Sequence, residues 1–241
     1  LTRAAKLAVA GEMAAAMSHE IRTPLGILRS SAQVLAREKN LSVEGREVAS
    51  FISTETERLN KLVSTLVDSA RPRQPEFAMC DIVALLENAV AMLRMQANKK
   101  NINLELGINV LAEGAVSKQV LIECDGEQIT QVVLNLLLNA IQILAPGSRV
   151  VVSLLEDADS VTISVADNGT GVEDALKEQI FDPFFTQRQG GIGLGLAVSR
   201  QIVTAHFGSL TVESSSLTNG DVVTASHGAD FRVKLPRTQL R

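Results

Sequence analysis

The sequence predicts an α+β chain in two parts: a helical hairpin that closes its core only with a second copy, then a mixed α/β domain with a sheet backed by helices. Three observations carry this. Leu7, Ala10, Ala14, Met17, Ile21, Leu28 and Leu35 keep a heptad spacing, and Val48, Ile52, Leu59, Leu62 and Leu66 resume it. Arg71-Pro72-Arg73-Gln74-Pro75 then interrupts all periodicity, because each proline removes a helix donor and biases its predecessor to extended backbone. Beyond it, short apolar or alternating runs are interleaved with amphipathic stretches, the pattern of a sheet covered by helices.

Taken in order, residues 4–37 read as one long helix with a narrow apolar seam, the polar run 39–45 as its end, and 46–70 as a second helix antiparallel to the first. Two helices cannot enclose a core, so two copies are expected to pair as a four-helix bundle, making the protein a homodimer. Glu55 is out of place on that seam. The domains expected are a hairpin over 1–70, a linker over 71–77 and a second domain over 78–241. In the second domain, helices are expected at 81–98, 126–144 and 193–206, and strands near 102–110, 119–124, 149–155, 161–166, 209–213 and 231–235, arranged as one sheet.

Composition excludes several classes. With 241 residues, 46% of them hydrophobic, the chain can build a core and is not disordered. A net charge of −4, a pI near 5.5 and 3% aromatic residues with no Trp or Tyr provide neither a basic footprint nor stacking platforms, so no nucleic-acid partner is expected. Cys80 and Cys124 lie in apolar runs without CxxC spacing and read as small core residues in a reducing compartment. No apolar run approaches the ~20 residues of a membrane span. The first residue is Leu1 rather than Met, so the expectation is a cytoplasmic portion of a longer protein whose upstream sensor domain is absent from this chain.

The chemistry begins at Met17-Ser18-His19-Glu20-Ile21-Arg22-Thr23-Pro24-Leu25. If Ala14, Met17 and Ile21 take the seam, His19 falls on the outward face, with Thr23 one turn further along the same face. A lone surface histidine has a plain structural reading, but here Glu20 can accept a proton from one ring nitrogen while the other attacks an electrophile. Pro24 cannot donate to the carbonyl of Glu20, so a bend is expected just below the histidine.

Downstream, Asn135-Leu136-Leu137-Leu138-Asn139-Ala140 places two amides one turn apart on an apolar helix. Asn139 is a plausible ligand for Mg²⁺ bridging phosphates, and a satisfied core amide is the alternative. Asp167-Asn168-Gly169-Thr170-Gly171 follows an apolar strand; alone it is a good turn, yet Asp167 is also placed to accept from an exocyclic amine. Gly190-Gly191-Ile192-Gly193-Leu194-Gly195-Leu196 enters a helix whose bare amides favour phosphate. It is neither a Rossmann turn nor a P-loop. Phe181-Asp182-Pro183-Phe184-Phe185-Thr186 lies between them, a lid anchor or ordinary core.

In order and spacing these five blocks resemble the transmitter region of sensor histidine kinases, a HisKA-type phosphoacceptor hairpin followed by a two-layer ATP-binding domain of the Bergerat fold. The resemblance covers nearly the whole chain. It implies that His19 is phosphorylated from ATP with Glu20 as base, and that Thr23 orients a water for phosphatase action on the partner, a response regulator receiver domain whose aspartate takes the phosphoryl group. It further implies that Asn139, with Asn135 near it, holds Mg²⁺ and that Asp167 reads adenine. Gly169 and Gly171, then Thr186, Gly191, Gly193, Leu194 and Gly195, flank the nucleotide. By analogy with most members, the parent protein is anchored in the inner membrane. Related ATPases carry a glutamate where this chain has Asn135, so transfer to His19 is expected to outrun hydrolysis.

Two departures from the family stand out. Only Gln187 to Gly190 separate Thr186 from Gly191, a short lid in which Arg188 is the one cation, facing either phosphate or solvent. Phe207 stands where the family commonly has glycine after His206, and His206 and His227 read as structural or surface residues. A nucleotide-binding pseudokinase or phosphatase-biased module is the alternative reading, and a plain ATPase or chaperone of the same fold is disfavoured by Asn135 and by the histidine hairpin.

Overall fold

The computed structural model describes residues 21–38, 40–70, 73–107, 119–187, 193–217 and 228–238. The chain divides into two compact units, Leu1–Arg73 and Gln74–Arg241.

In the first unit, helix α1 runs over 21–36 and passes through Pro24, and helix α2 spans Val43–Ala70. The second helix starts ahead of the expected residue 46 because Ser42 caps it: its hydroxyl accepts from the Gly45 amide at 3.0 Å and its carbonyl from Arg46 at 3.0 Å. Each helix buries a pair of residues one heptad apart, Leu25 and Ala32 on α1, Ala49 and Thr56 on α2. Thr56 satisfies its hydroxyl on the carbonyls of Ile52 (2.8 Å) and Ser53 (2.9 Å). Of the expected seam, Ile21, Leu28 and Leu35 of α1 and Val48 and Leu59 of α2 are exposed in the single chain, as are Ile27, Val34, Val43 and Phe51 beside them. Glu55 is not stranded among them, since Arg58 pairs with it at 2.6 Å and lowers its pKa through that hydrogen bond. The part of the first helix expected over 4–20 lies outside the described residues.

The second unit contains β1 (Ala78–Asp81), α3 (Ile82–Lys99), β2 (Asn103–Gly107), β3 (Leu121–Cys124), α4 (Gly126–Ile143), β4 (Arg149–Glu156), β5 (Ser160–Asp167), α5 (Gly195–Ala205), β6 (Ser209–Ser215) and β7 (Gly228–Pro236). Five strands form a sheet in the order β2-β4-β5-β7-β6, with β2 parallel to β4 and the other pairs antiparallel. β4 alternates in burial, Val150, Val152 and Leu154 facing inward. They join Val161, Ile163 and Val165 of β5 and Phe231, Val233 and Leu235 of β7 in one core with the apolar faces of α3, α4 and α5. The result is two layers, helices on one face of a sheet.

One expectation is overturned. The strands do not all share a sheet, because β3 pairs antiparallel with β1 in a separate two-stranded ladder. β1 went unread because Ala78-Met79-Cys80-Asp81 is too short to show a period and is a strand only by virtue of its partner. The junction differs as well. Glu76 donates its amide to Asp125 at 3.0 Å and the Phe77 ring lies edge-on to His206 at 5.3 Å, so the last residues of the expected 71–77 linker are fastened to the second unit.

Candidate functional site

Three helices of the second unit begin in two different ways. Asp81 caps α3 by accepting from the Val83 amide at 3.0 Å, and Asp125 caps α4 through Gln128 at 3.1 Å. α5 has no side-chain cap: Leu194, buried, occupies the cap position, and the first-turn amides of Gly195 and its successors face no protein acceptor from that residue. A helix start left open after glycines is suited to an anion.

α4 carries the two amides, and the structure separates their roles. Asn135 Nδ2 donates to the Gly195 carbonyl and to Ser199 Oγ, both at 3.4 Å, while Ser199, wholly buried, donates to the same carbonyl at 2.9 Å. Asn135 thus ties the open start of α5 to α4. Asn139, one turn on and half-buried, makes no side-chain hydrogen bond among the described residues.

At the end of β5, Asp167 is buried, and its Oδ1 accepts from the amides of Gly169 (2.8 Å) and Ala229 (3.2 Å). Its Oδ2 has no donor among the described residues. Burial pushes the carboxyl above the usual range; the two amides pull it back and Asp230 adds to the push. Gly171 supplies the positive φ of the turn at +73°, and Gly169 sits against Leu144 at the end of α4. Asn168 Oδ1 accepts from the Arg149 amide at 2.8 Å, pinning the turn to β4. Hence one helix bears Asn135, Asn139 and Leu144, the first beside the start of α5 and the last beside the Asp167 turn.

The segment between them is held at its feet. Phe181 is buried, edge-on to Phe231 at 6.4 Å, with the Arg200 guanidinium 5.1 Å from its ring and paired to Glu178 at 3.1 Å. Phe184 donates its amide to the Gly193 carbonyl at 2.8 Å, although Phe184 itself has φ +66° and an exposed ring. Gly193 has φ +68°, and a Cβ there would fall 2.3 Å from the Phe185 carbonyl oxygen, so the close approach requires glycine. Of the residues of 181–186, Phe181 packs in the core and Phe184 is tied to Gly193 through its backbone, while the lid expected after Thr186 falls largely on 188–190, outside the described residues.

Thr23 is exposed on α1, and Thr186 is exposed with contacts of its own. His19, Glu20, Arg188 and Gly191 lie outside the described residues, as does His227. His206 is structural: wholly buried, it accepts from the Asp125 amide at Nε2 (3.0 Å), and Nδ1 carries the proton toward the Ile202 carbonyl at 2.8 Å. Burial lowers its pKa, against the opposing effects of that carbonyl and of Asp125. Sequence reasoning missed Ser199, Ala229 and Asp125. The last carried a signal, since Asp125-Gly126-Glu127-Gln128 has the spacing of a capping box.

The donor set fits a phosphate-borne metal ion better than a protein-held one. No group of three or more His, Cys, Asp or Glu side chains converges among the described residues, while Asn139 offers an unengaged amide oxygen. An ion that prefers oxygen and keeps its phosphates and waters needs no more from the protein.

Comparison with known proteins finds two family matches along the chain. The family described as His Kinase A (phospho-acceptor) domain matches residues 10–75, and that described as Histidine kinase-, DNA gyrase B-, and HSP90-like ATPase matches residues 124–239. The signal transduction histidine-protein kinase AtoS of Escherichia coli strain K12 is 31% identical over 98% of this chain and 36% of its own length. Sensor histidine kinase ZraS of the same organism is 34% identical over 89% of the chain and 44% of its own length. The chain therefore spans less than half of these relatives. Among solved structures, full-length ShkA in complex with AMPPNP superposes with a TM-score of 0.78 at 26% identity, covering 95% of this chain and 46% of that one. Histidine kinase ThkA in complex with response regulator protein TrrA gives 0.68 at 25% identity, covering 99% and 65%.

Proposed function

Because this chain belongs to the sensor histidine kinases of two-component signalling, we propose that it phosphorylates His19 from ATP and passes the phosphoryl group to an aspartate of a response regulator receiver domain. The observation that carries this is a set of polar groups unengaged among the described residues: the Asn139 amide on α4, Asp167 Oδ2 at the end of β5 and the first turn of α5, which has no side-chain cap. From Asn135 to Leu144 the α4 axis advances about 13 Å, enough to hold an extended nucleoside triphosphate between the α5 amides and the Asp167 turn. Asp167 accepts from the exocyclic amine of adenine, and Gly169 and Gly171 let the backbone approach the base. Gly193, Leu194 and Gly195 present amides to the phosphates, with Thr186, Arg188 and Gly191 completing that side. Asn139 supplies an oxygen to Mg²⁺, which when bound offsets phosphate charge.

In the transfer a ring nitrogen of His19 forms the new N–P bond, the bond from phosphorus to the oxygen bridging to the β-phosphate breaks, and ADP leaves. Glu20 takes the imidazole proton. Such transfers depend mainly on alignment and charge, so the second unit must reach His19 by a swing. With Glu76 and Phe77 fastened, the moving part of the linker lies upstream of them. The exposed stripe of Ile21, Leu28, Leu35, Val48, Phe51 and Leu59 suits a second copy, giving the homodimeric four-helix bundle. Thr23, on the exposed face of α1, orients water for phosphatase action on the regulator.

The test is incubation with Mg²⁺ and ATP labelled on the γ-phosphate. Acid-labile, base-stable label on the protein, abolished in His19→Ala, is the expected result. Nucleotide binding with no label on folded protein would sink the autokinase reading.

A further inference from the structure

The two cysteines of the chain are both free thiols, and nothing in the kinase reading uses either. They lie 44 residues apart in sequence, yet the β1–β3 ladder brings them together. In its register Cys80 opposes Ile122 and Ala78 opposes Cys124, which puts the two cysteines diagonally on the same face. The Cys80 thiol donates to the Cys124 carbonyl at 3.4 Å, and its sulfur rests on Gly126, where an added Cβ would come within 3.2 Å of it. Cys80 is half-buried and reachable from solvent, whereas Cys124 is wholly buried. Burial, then the neighbouring Cys80 thiol, then the charge of Asp125 push the Cys124 thiol far above its usual pKa, so it stays protonated.

We propose that Cys80 and Cys124 form an oxidant-responsive modification site, in which a peroxide closes a reversible disulfide between β1 and β3. The Cys80 sulfur attacks a peroxide oxygen; the O–O bond breaks and the departing hydroxide takes the Cys80 thiol proton, leaving Cys80 sulfenic acid and, from hydrogen peroxide, water. The Cys124 sulfur then attacks the Cys80 sulfur, the S–O bond breaks, and the departing hydroxide takes the Cys124 proton to leave as a second water. Two thiols and one peroxide thus give one disulfide and two waters.

Diagonal neighbours on an antiparallel pair have Cα atoms about 7–8 Å apart, and a relaxed disulfide spans no more than about 6.8 Å. Closing the bond therefore draws the short ladder in by about an ångström, which a four-residue edge pair can absorb at the cost of strain. Strained disulfides are readily reduced, so this one suits a signal that is erased in a reducing compartment rather than a permanent staple. Its place matters too. Cys124 directly precedes Asp125, which caps α4 and holds Glu76, so the bond forms at the root where the linker meets the second unit.

The experiment treats the purified reduced protein with hydrogen peroxide and follows free thiols and intact mass. The expected result is loss of both thiols, a fall of about 2 Da per chain, a cross-linked pair of tryptic peptides containing Cys80 and Cys124, and full recovery with dithiothreitol. Cys80→Ser should show no such fall. A gain in mass by whole oxygen atoms without a cross-link would overturn the proposal, as would a covalent dimer through Cys80 of two chains, or thiols that survive. The overturning outcomes are read on the unaltered chain, so none of them depends on the variant folding.

Discussion

Asp125 and Asp167 make an instructive pair. Both follow or end a strand, both are nearly inaccessible, at 3% and 8% exposure, and both accept two backbone amides. They distribute those bonds differently. Asp125 uses one oxygen for Gln128 at the start of α4 and the other for Glu76 of the incoming chain, so each lone oxygen has a protein donor. Asp167 takes both of its amides on Oδ1 and leaves Oδ2 with none among the described residues. A buried carboxylate oxygen without a donor is costly. The first aspartate spends both oxygens on the fold, and the second spends only one.

Breaking the first should give the largest effect. Asp125→Ala removes the α4 cap and strands the amides of Gln128 and Glu76, a loss of about 3 kcal/mol at the upper end of cap and buried-amide costs. Denaturant unfolding measures it. An unfolding free energy within about 0.5 kcal/mol of the parent would show that neither bond matters.

Asp167→Asn tests the other half and should separate binding from stability. The amide oxygen can keep the bonds from Gly169 and Ala229, but its nitrogen now points where Oδ2 accepted. Nucleotide affinity should fall by about 10- to 100-fold, the worth of one hydrogen bond to a charged group. Stability should move the other way. The native carboxyl binds its proton more tightly than the unfolded chain, whose value is 3.8, so the parent loses stability as pH rises through the native pKa, and the variant does not. The advantage of Asp167→Asn should therefore be largest at neutral pH and vanish as pH falls toward 3.8. Calorimetry across pH and a fluorescent nucleotide titration read the two arms; tighter binding or lower stability at neutral pH would count against the assignment.

The same pair shows how far the sequence could be read. Asp167 was legible because its glycines and the apolar run before it are local, and the whole block has a recognisable spacing. Asp125 was passed over although its capping spacing is equally local, since a cap residue looks like any turn residue until its helix start is placed to within a residue. The division of labour between Asn135 and Asn139 was out of reach, for it depends on where Gly195 and Ser199 arrive from 60 residues away. The partnership of Cys80 with Cys124 depends likewise on a register between two short strands. Periodicity found α3, α4 and the β4–β5 hairpin nearly to the residue, and failed on β1, where there is no period to find.

The departure at Phe207 offers the smallest effect and the cleanest one. α3 and α5 end alike. Asn101 donates to Asn98 (2.9 Å) and Ile102 to Ala97 (2.9 Å), while Phe207 donates to Thr204 (3.0 Å) and Gly208 to Val203 (2.9 Å), the paired bonds of a Schellman motif. Asn101 and Phe207 hold φ of +55° and +56°, a region that asparagine enters with little penalty and phenylalanine does not. Gly208 is fixed for a different reason, since a Cβ there would fall 2.3 Å from the Lys234 carbonyl oxygen. Steric need therefore holds glycine at 208, while at 207 only conformational preference asks for it, and a side chain can persist there at a cost. With the ring 61% exposed, Phe207→Gly forfeits little burial. It should stabilise the protein by up to about 1 kcal/mol and raise Tm by roughly 2–3 °C. Asn101→Gly should gain less, because asparagine already accepts the conformation. If Phe207→Gly instead lowers Tm while Asn101→Gly does not, the exposed ring is buried by a contact in the intact assembly, and that contact outweighs the strain.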